Sequence, residues 1–274
     1  MIDRDLIKRA LAEDLQGGED ITSVATVSGS EKVVADFVSR KTGVVAGMEM
    51  ARTVLEEVGL TDIAVLVQDG TFVKAGDVLM TVRGDTRAIL LAERTALNFL
   101  GHLSGIATLT RTWVDAVAGT KCKIRDTRKT TPGMRLLEKY AVRMGGGTNH
   151  RMSLSDAALI KDNHIAAAGG VAEAFSKVRA KFPTSEIEIE VDTLDQLREV
   201  LPLKPDLILL DNMSPAQCAE AVSIVAGATK LEASGGISLE NAKAYAATGV
   251  NFLAIGALTH SAPVFDIGLD LRAE

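Results

Sequence analysis

The sequence has few of the features that mark secreted or membrane-spanning proteins. Only two cysteines are present, Cys122 and Cys218, and they lie far apart without a CxxC or Cys/His pattern, so we expect neither a disulfide framework nor a structural zinc site. No run of apolar residues reaches the roughly 18 that a membrane helix needs. The first residues, MIDRDLIKRALAEDL, lack the apolar core of a signal peptide. These absences favour a protein of the reducing cytoplasm, with no membrane partner.

A general excess of basic residues is also absent. The 274 residues carry 30 basic and 36 acidic side chains and a formal net charge of -6, which argues against nucleic acid as a partner. The charge is uneven, because residues 121–161 contain ten basic and three acidic residues, a local net charge of +7. The apolar fraction of 47% is ample for one large domain or two smaller ones.

The first hundred residues predict an α+β domain. Apolar residues at helical spacing indicate helices over Ile2–Leu15 and Met48–Val58, and a long helix starting near Thr86. Four apolar runs are typical of strands, and turn signals in QDGTFVKAGD favour a hairpin between the last two. These predicted strands cover residues 33–38, 43–47, 63–67 and 78–82.

From Cys122 onward, strands and helices alternate, which predicts right-handed crossovers and a parallel sheet. About six such units fit, too few for a complete eight-stranded barrel, so we predict an incomplete, open TIM-like α/β barrel. A doubly wound open sheet is the alternative. We expect an N-terminal α+β domain over residues 1–108 and a barrel over 109–261, with the tail, 262–274, packing back on the first. The predicted strands end at CKIRDT, ALIKD, IEIEV, LILLD, KLEAS and FLAIG, and the predicted helices cover 132–142, 171–181, 194–200, 215–225 and 239–248.

Polar residues follow the end of every predicted strand of the second region. In parallel α/β proteins these ends meet at one mouth, where ligands bind, so the residues should form one site. They are Asp126, Thr127, Arg128, Lys129, Lys161, Asp162, Glu190, Asp211, Ser234, Gly235, Gly236, Gly256, Ala257 and, a little further on, His260.

Simpler interpretations exist for several of these residues. Asp211 could be only the N-cap of the next helix. In EIEIEV the apolar residues should cover the helices, which turns Glu190 towards the barrel interior or mouth. The glycines of SGG could form a tight turn, or they could open a helix whose N-terminus binds phosphate. Lys139 and Arg143, at i,i+4 spacing, are interpreted as a solvated helix face.

The basic residues at the mouth indicate an anionic substrate. Arg128, Lys129, Arg151 and Lys161 would repel one another unless an anion or an acidic partner neutralised them, and arginine suits carboxylate or phosphate oxygens. His150 follows a Gly-Gly-Gly run and is placed to reach the same anion. Glu190 and Asp211 suit sugar hydroxyls or Mg²⁺ shared with substrate phosphates.

Several long motifs resemble the quinolinate phosphoribosyltransferase family. They are DTRKTTPGMRLLEKYAV, GGGTNHRMSLSDAALIKDNH, EIEVDTLDQL, LILLDNMSP and LEASGGISLENAKAYAATGV, with LAEDLQGGEDITS near the start and ERTALNFL before the barrel. The resemblance covers essentially the whole chain and shows no departure at the charged positions.

The resemblance implies an N-terminal sandwich domain, an incomplete barrel, and a homodimer that could assemble further into a hexamer. It implies a Mg²⁺-using pentosyltransferase that joins quinolinate to phosphoribosyl pyrophosphate, giving nicotinate mononucleotide, pyrophosphate and CO₂ in NAD biosynthesis. Lys129, Lys161, Glu190 and Asp211 would serve catalysis, the two carboxylates also reaching a metal held largely through substrate. Quinolinate would be held by Arg128, Lys129, His150, Arg151 and Lys161, with Arg94 supplied by the neighbouring subunit. The phosphoribosyl donor would contact Lys129, Lys161, Glu190, Asp211, Ser234, Gly235, Gly236, Gly256, Ala257 and His260.

Two other functions remain compatible with parts of the sequence. One is the molybdenum-transport-associated paralogue of the same family, although the complete basic quartet favours a dicarboxylate. The other is a non-catalytic sensor of sugar phosphates, which accounts for SGG and IGA but not for carboxylates facing the cations.

Overall fold

A computed structural model describes residues 3–272, and the chain divides into two units. The first contains residues 1–109, 143–146 and 262–274, and the second contains 110–142 and 147–261. Residues 143–146, which the sequence placed with the barrel, belong to the first unit; there a Cβ on Gly70 would lie 3.6 Å from the Met144 carbonyl oxygen. Ile2, where the first helix was expected to begin, lies outside the described residues.

The first unit contains a four-stranded antiparallel sheet, and its helices precede, separate or follow the strands along the chain. Its core includes Phe37, Leu79 and Met80, all with no exposed surface. Asp3 and Asp20 cap the first two helices by accepting backbone N–H bonds. The elements are α1 (Arg4–Leu15), α2 (Ile21–Thr26), β1 (Lys32–Ser39), β2 (Gly43–Val44), α3 (Met48–Glu57), β3 (Asp62–Val65), β4 (Phe72–Val73), β5 (Val78–Asp85) and α4 (Thr86–Ala116), which continues into the second unit.

Two predictions for this unit need correction. β3 and β5 pair as expected, but the segment between them is more than a hairpin loop, because it contains β4, which pairs with β2. The strand predicted over 43–47 shrinks to the two residues of β2. The N–H and carbonyl of Val44 bond to the Thr108 hydroxyl, and those of Ala46 to the Ser104 hydroxyl, so on this side the segment contacts α4 rather than another strand.

The second unit is a six-stranded parallel sheet with its helices between strands along the chain. The predicted strands are all confirmed, and α6 is a short helix that the sequence analysis missed. The elements are β6 (Lys123–Arg125), α5 (Arg135–Met144), β7 (Ala158–Ile160), α6 (Asp162–Ala168), α7 (Val171–Lys181), β8 (Ile187–Val191), α8 (Leu194–Val200), a 3-10 helix (Leu201–Leu203), β9 (Leu207–Asp211), α9 (Pro215–Val225), β10 (Lys230–Ser234), α10 (Leu239–Ala247), β11 (Phe252–Ala254) and α11 (Ala257–His260).

The strand order decides between the two predicted architectures. The order is β6-β11-β10-β9-β8-β7, so the strands follow one another round the sheet and the first pairs with the last. A doubly wound sheet would instead start in the middle and reverse direction. β6 and β7 are the two ends of the sheet. The predicted open TIM-like barrel is therefore confirmed.

The last strand, β12 (Ile267–Arg272), returns to the first unit. It pairs antiparallel with β1, which gives the sheet order β12-β1-β5-β3. Gly105 of α4 allows the returning chain to pass, because a Cβ there would lie 2.1 Å from the carbonyl oxygen of Pro263. Among the described residues, no helix is long and apolar enough to cross a membrane.

Candidate active site

A cavity of about 720 Å³ opens where the six parallel strands of the barrel end. Its volume is in the range of small-ligand sites. The structure brings together every barrel residue that the sequence singled out for substrate, and all lie within the second unit. These residues are Arg128, Lys129, His150, Arg151, Lys161, Glu190, Asp211, Ser234, Gly235, Gly236, Gly256, Ala257 and His260.

Arg94 lies outside this set. It is an exposed residue of α4, within the part of that helix that belongs to the first unit. Its role in a neighbouring subunit's pocket stays a prediction.

One side of the cavity carries positive charge, and some of its N–H groups have no hydrogen-bond partner among the described residues. The Nε atoms of Arg128 and Arg151 are buried and have no hydrogen-bond partner within residues 3–272. Burial lowers the pKa of Arg151, and the nearby Arg128 guanidinium lowers it further. A bound anion would relieve both costs, because it pairs with the charges and accepts the free N–H bonds.

Lys161 links the cationic side to the acidic side. Its Nζ lies 3.1 Å from Glu190 Oε2, yet 47% of the lysine side chain remains exposed against 9% of the glutamate side chain. The ammonium therefore has donors left for a ligand. Sequence reasoning placed both residues at the mouth, and both line the cavity.

On the acidic side Glu190 and Asp211 line the cavity, and a third carboxylate that was not expected, Asp192, lies beside them without lining it. One oxygen each of Glu190, Asp192 and Asp211 lies within 4.8 Å of the others. Burial raises the pKa of Asp211, and the charges of Glu190 and Asp192 raise it further. A divalent cation would remove this repulsion, and carboxylate oxygens are the ligands Mg²⁺ prefers, so the residues fit that metal. Asp192 was missed although it stands directly after β8.

The alternative role for Asp211 as a helix cap is wrong. Ser214 caps α9 instead, accepting a bond from the Gln217 N–H. Asp211 is the last residue of β9, and its Oδ2 accepts a 2.6 Å hydrogen bond from Asn212. Its carboxylate is therefore available to the cavity.

Glycines let the backbone come close to the ligand space. Gly235 has φ of +86°, and a Cβ there would lie 2.2 Å from Asn212 Oδ1, so a side chain would be both strained and in collision. The expectation that SGG opens the next helix directly is wrong, because α10 begins at Leu239 with Ser238 as its N-cap. The glycines form a loop ahead of the helix.

Two buried carboxylates, Glu188 and Glu232, lie next to His150 and form a buried acidic floor. His150 Nδ1 accepts a 2.7 Å bond from the Arg151 N–H, so the ring proton is on Nε2, 2.8 Å from Glu188 Oε2. Glu232 Oε1 is 3.5 Å from the same nitrogen, and its Oε2 accepts a 2.9 Å bond from Arg125. Burial lowers the pKa of His150 to about 4 and raises the pKa of Glu188 and Glu232 to about 7.

Glu188 and Glu232 were not singled out from the sequence. The signal for Glu188 is its place in the inward-facing set of IEIEV, two residues before Glu190. Glu232 stands two residues before Ser234 in β10, and so on the same face of that strand.

The interpretation of Lys139 as a solvated residue is wrong. Its side chain has no exposed surface, and its Nζ lies 2.6 Å from Asp126 Oδ1. Asp126, expected at the mouth, is likewise fully buried. The i,i+4 spacing to Arg143 misled because only Arg143 faces outward.

The fold and the site define an α/β-barrel protein with a cavity at its strand ends that is lined by both cationic and acidic side chains. Two family models match the chain: the quinolinate phosphoribosyl transferase N-terminal domain over residues 20–104 and its C-terminal domain over residues 106–270. The chain belongs to the quinolinate phosphoribosyl transferase family.

Individual relatives agree along nearly the full length. The carboxylating nicotinate-nucleotide pyrophosphorylase of Mycobacterium leprae (strain TN) is 55% identical, covering 98% of this chain and 96% of its own. A probable carboxylating nicotinate-nucleotide pyrophosphorylase of Bacillus subtilis (strain 168) is 41% identical, covering 98% and 93%. The solved nicotinate-nucleotide pyrophosphorylase of Ehrlichia chaffeensis has a TM-score of 0.95 at 40% identity and covers 99% of each chain.

Proposed function

We propose that the protein is a quinolinate phosphoribosyltransferase, a pentosyltransferase of NAD biosynthesis. It would convert quinolinate and phosphoribosyl pyrophosphate to nicotinate mononucleotide, pyrophosphate and CO₂. The observation that carries the proposal is the lining of one cavity. On one side are two arginines whose Nε atoms have no hydrogen-bond partner among the described residues, and on the other are Glu190 and Asp211, two of the three clustered carboxylates. Two anionic substrates, one with ribose hydroxyls and a pyrophosphate, match these two sides.

The cations take the carboxylates of quinolinate. Arg128 and Arg151 each have a free N–H in the cavity wall, and arginine binds carboxylates in a fixed, bidentate geometry. Both ring nitrogens of His150 already have protein partners. We therefore assign His150 to shaping the pocket and fixing Arg151, while Arg128, Arg151 and Lys161 hold the charges.

Glu190 and Asp211 face the ribose of the donor. When the C1–O bond to pyrophosphate breaks, positive charge develops on the sugar, and nearby carboxylates stabilise it. Lys129 and Lys161 neutralise the departing pyrophosphate, and the backbone of Gly235, Gly236 and Gly256 leaves room for phosphate oxygens. With Asp192, the same carboxylates would hold Mg²⁺, which supplies further neutralisation of the pyrophosphate charge when bound.

The ring nitrogen of quinolinate forms the new bond to C1 and becomes cationic. The bond from the adjacent ring carbon to its carboxylate then breaks, CO₂ leaves, and the electron pair stays on the carbon beside the positive nitrogen. That carbon then takes a proton from water, which completes nicotinate mononucleotide. The ring is its own electron sink, so the protein supplies orientation and charge matching rather than a nucleophile.

The test is the release of labelled CO₂ from carboxyl-labelled quinolinate by the purified protein. Release should require both phosphoribosyl pyrophosphate and Mg²⁺. Failure to release CO₂ over a range of donor and metal concentrations would overturn the proposal. Binding of both ligands without release would favour a sensor or a paralogue with another substrate.

A second experiment assigns the two sides of the cavity. Arg128→Ala should weaken quinolinate binding far more than donor binding, because the free Nε of Arg128 lies with the carboxylate-binding cations. Calorimetric titration with each substrate separately measures both effects. Equal losses would contradict the assignment.

We further propose that Arg94 completes the site of a neighbouring subunit in a cytoplasmic homodimer, which could assemble further into a hexamer. The exposure of Arg94 supports the shared site, and the two free, buried cysteines agree with the cytoplasmic location. Mixing inactive Arg94→Ala and Lys161→Met variants tests the dimer, since random exchange would restore about a quarter of the sites in a two-fold symmetric pair. No recovery after subunit exchange would exclude a shared site.

A further inference from the structure

A buried ion pair lies behind the segment that carries His150 and Arg151. Lys139 and Asp126 have no exposed side-chain surface and are 2.6 Å apart. Lys139 Nζ also donates to the carbonyl of His150 at 2.8 Å and to that of Arg151 at 3.2 Å. The three N–H donors of the ammonium thus match three acceptors, two of them in the pocket-forming segment.

Asp126 holds the same segment from its N–H side. Its Oδ1 accepts a 2.8 Å hydrogen bond from the His150 N–H, and its Oδ2 accepts one from the Asn149 side chain. Asn149 also donates to the Lys139 carbonyl at 2.9 Å. The pair of charges therefore binds the His150 N–H, the carbonyls of His150 and Arg151, and the Asn149 side chain.

The segment needs such support because of where it lies. β6 is one end of the open sheet, and beyond β11 its only recorded strand-like partner among residues 3–272 is an isolated bridge from Arg125 to Thr148. After Thr148 the ladder stops, although His150 and Arg151 must still be aimed at the cavity. The buried pair replaces the ladder at this point.

Stability alone does not explain a charged pair in this position. Burial is costly for both ions, and well-packed apolar residues often serve stability as well or better. The ions do supply direction, because each hydrogen bond fixes a particular backbone atom. The consequence falls on Arg151, which lines the cavity: its Nη1 donates to the Ala157 carbonyl at 2.8 Å, and its Nε has no partner among the described residues.

We propose that Asp126 and Lys139 are positioning residues for carboxylate binding: the pair fixes the backbone of residues 149–151 so that Arg151 meets a carboxylate of the substrate. The ligand in this statement is quinolinate, so the inference rests on the proposed function. Neither residue contacts the substrate, and their effect is transmitted through the backbone of His150 and Arg151.

The test uses the double variant Asp126→Asn/Lys139→Met, which removes the charges together and leaves no unpaired buried ion. The matched control is Arg179→Met. Arg179 donates to the carbonyls of Pro183 and Ser185 and to Asp206, so it also bonds a loop through two carbonyls and a carboxylate. The pair of Arg179 and Asp206 is partly exposed and lies at the end of β8 opposite the cavity.

Three quantities are measured on the full-length proteins: the KM of each substrate with kcat, the Kd of quinolinate by calorimetry, and the melting temperature. We expect the double variant to raise the quinolinate KM and Kd by about 10- to 100-fold, the range for a misplaced binding group. The KM for phosphoribosyl pyrophosphate should change less than about twofold in both variants, since the Asp126–Lys139 pair does not hold the side of the cavity that binds this substrate. Arg179→Met should lower the melting temperature but leave both KM values unchanged.

The inference is overturned if the double variant raises both KM values equally, or shifts the quinolinate Kd no more than Arg179→Met does. If the double variant does not fold, Asn149→Ala decides, because it keeps both buried charges and removes only the Asn149 side-chain bonds to Asp126 and to the Lys139 carbonyl. It should still raise the quinolinate Kd selectively. The wild type separates the two levels of argument. A wild type that binds no quinolinate and releases no CO₂ refutes the proposed function, whereas an active wild type with an unselective variant refutes only the positioning role.

Discussion

Two lysine–carboxylate pairs in the same barrel differ in almost everything except their chemistry. Lys139 and Asp126 are completely buried and 2.6 Å apart. Lys161 and Glu190 are 3.1 Å apart, with nearly half of the lysine side chain in solvent. Lys139 of the first pair donates hydrogen bonds to two backbone carbonyls, whereas both residues of the second pair line the ligand cavity.

The difference shows what burial does to a charge. A buried ion pair has a large desolvation cost and must keep all its partners, so it is a fixed part of the structure. An exposed pair contributes little to stability and can exchange one partner for a ligand. Four variants test this difference between buried and exposed charges.

Lys139→Met alone should have the largest effect. It leaves the Asp126 carboxylate buried without its cation, which costs about 3–5 kcal/mol of unfolding free energy. Urea denaturation measures the loss, and adding Asp126→Asn should recover part of it. A single variant as stable as the wild type would show that the pair is not held as tightly as the distances indicate.

Lys161→Met should give the reverse pattern. We expect a loss of about 100- to 1,000-fold in kcat, the range for removing one charge that stabilises a transition state. Its unfolding free energy should change by less than about 1 kcal/mol because the pair with Glu190 is partly solvated. A large fall in stability with nearly normal turnover would reverse the roles of the two lysines.

The buried carboxylates Glu188 and Glu232 should make the stability of the protein depend on pH. Burial raises the pKa of Glu232 to about 7, and the neighbouring Glu188 adds to the shift while Arg125 opposes it. Between pH 4.5 and 7 the folded protein therefore holds a proton that the unfolded chain has lost, so this group makes stability fall as pH rises.

Glu232→Gln removes that titration. Relative to the variant, the wild type should lose roughly 1–3 kcal/mol of unfolding free energy between about pH 5 and 7.5. Denaturation curves at several pH values measure the difference. Parallel stability profiles for the two proteins would mean that the buried floor does not titrate in this range.

The smallest effect is expected at a fully external pair. Arg198 contacts Asp195 and Glu220, and all three side chains are at least half exposed. Arg198→Ala should change the unfolding free energy by less than about 1 kcal/mol and leave both KM values unaltered. Its melting curve sets the scale on which the effects at Lys139 and Lys161 are judged.

Much of this architecture could be predicted because its signals are local. Alternating strands and helices gave the open barrel, and the residues at strand ends gave the mouth, since the carboxyl ends of parallel strands meet at one edge. Only the spacing within one strand and the identity of the next residue were needed to place Glu190 or Lys161 there.

What could not be predicted depends on partners far apart in the sequence. The burial of Lys139 requires Asp126 from another element and two carbonyls beyond a glycine run. The backbone of Ala46, just after β2, bonds to Ser104, which lies 58 positions further along the chain. Charge spacing along one helix carries no information about such contacts, so the sequence favoured a solvated Lys139.

The cations that line the cavity, and not the barrel alone, would make this protein a decarboxylating transferase. The most direct measurement is the release of labelled CO₂ from quinolinate by the wild type and by Lys161→Met, with and without phosphoribosyl pyrophosphate. The melting temperatures of the two proteins are compared first, to show that the variant is folded. The account predicts donor-dependent release by the wild type and a loss of about 100-fold or more in the variant. Release without the donor, or equal release by both proteins, would contradict it.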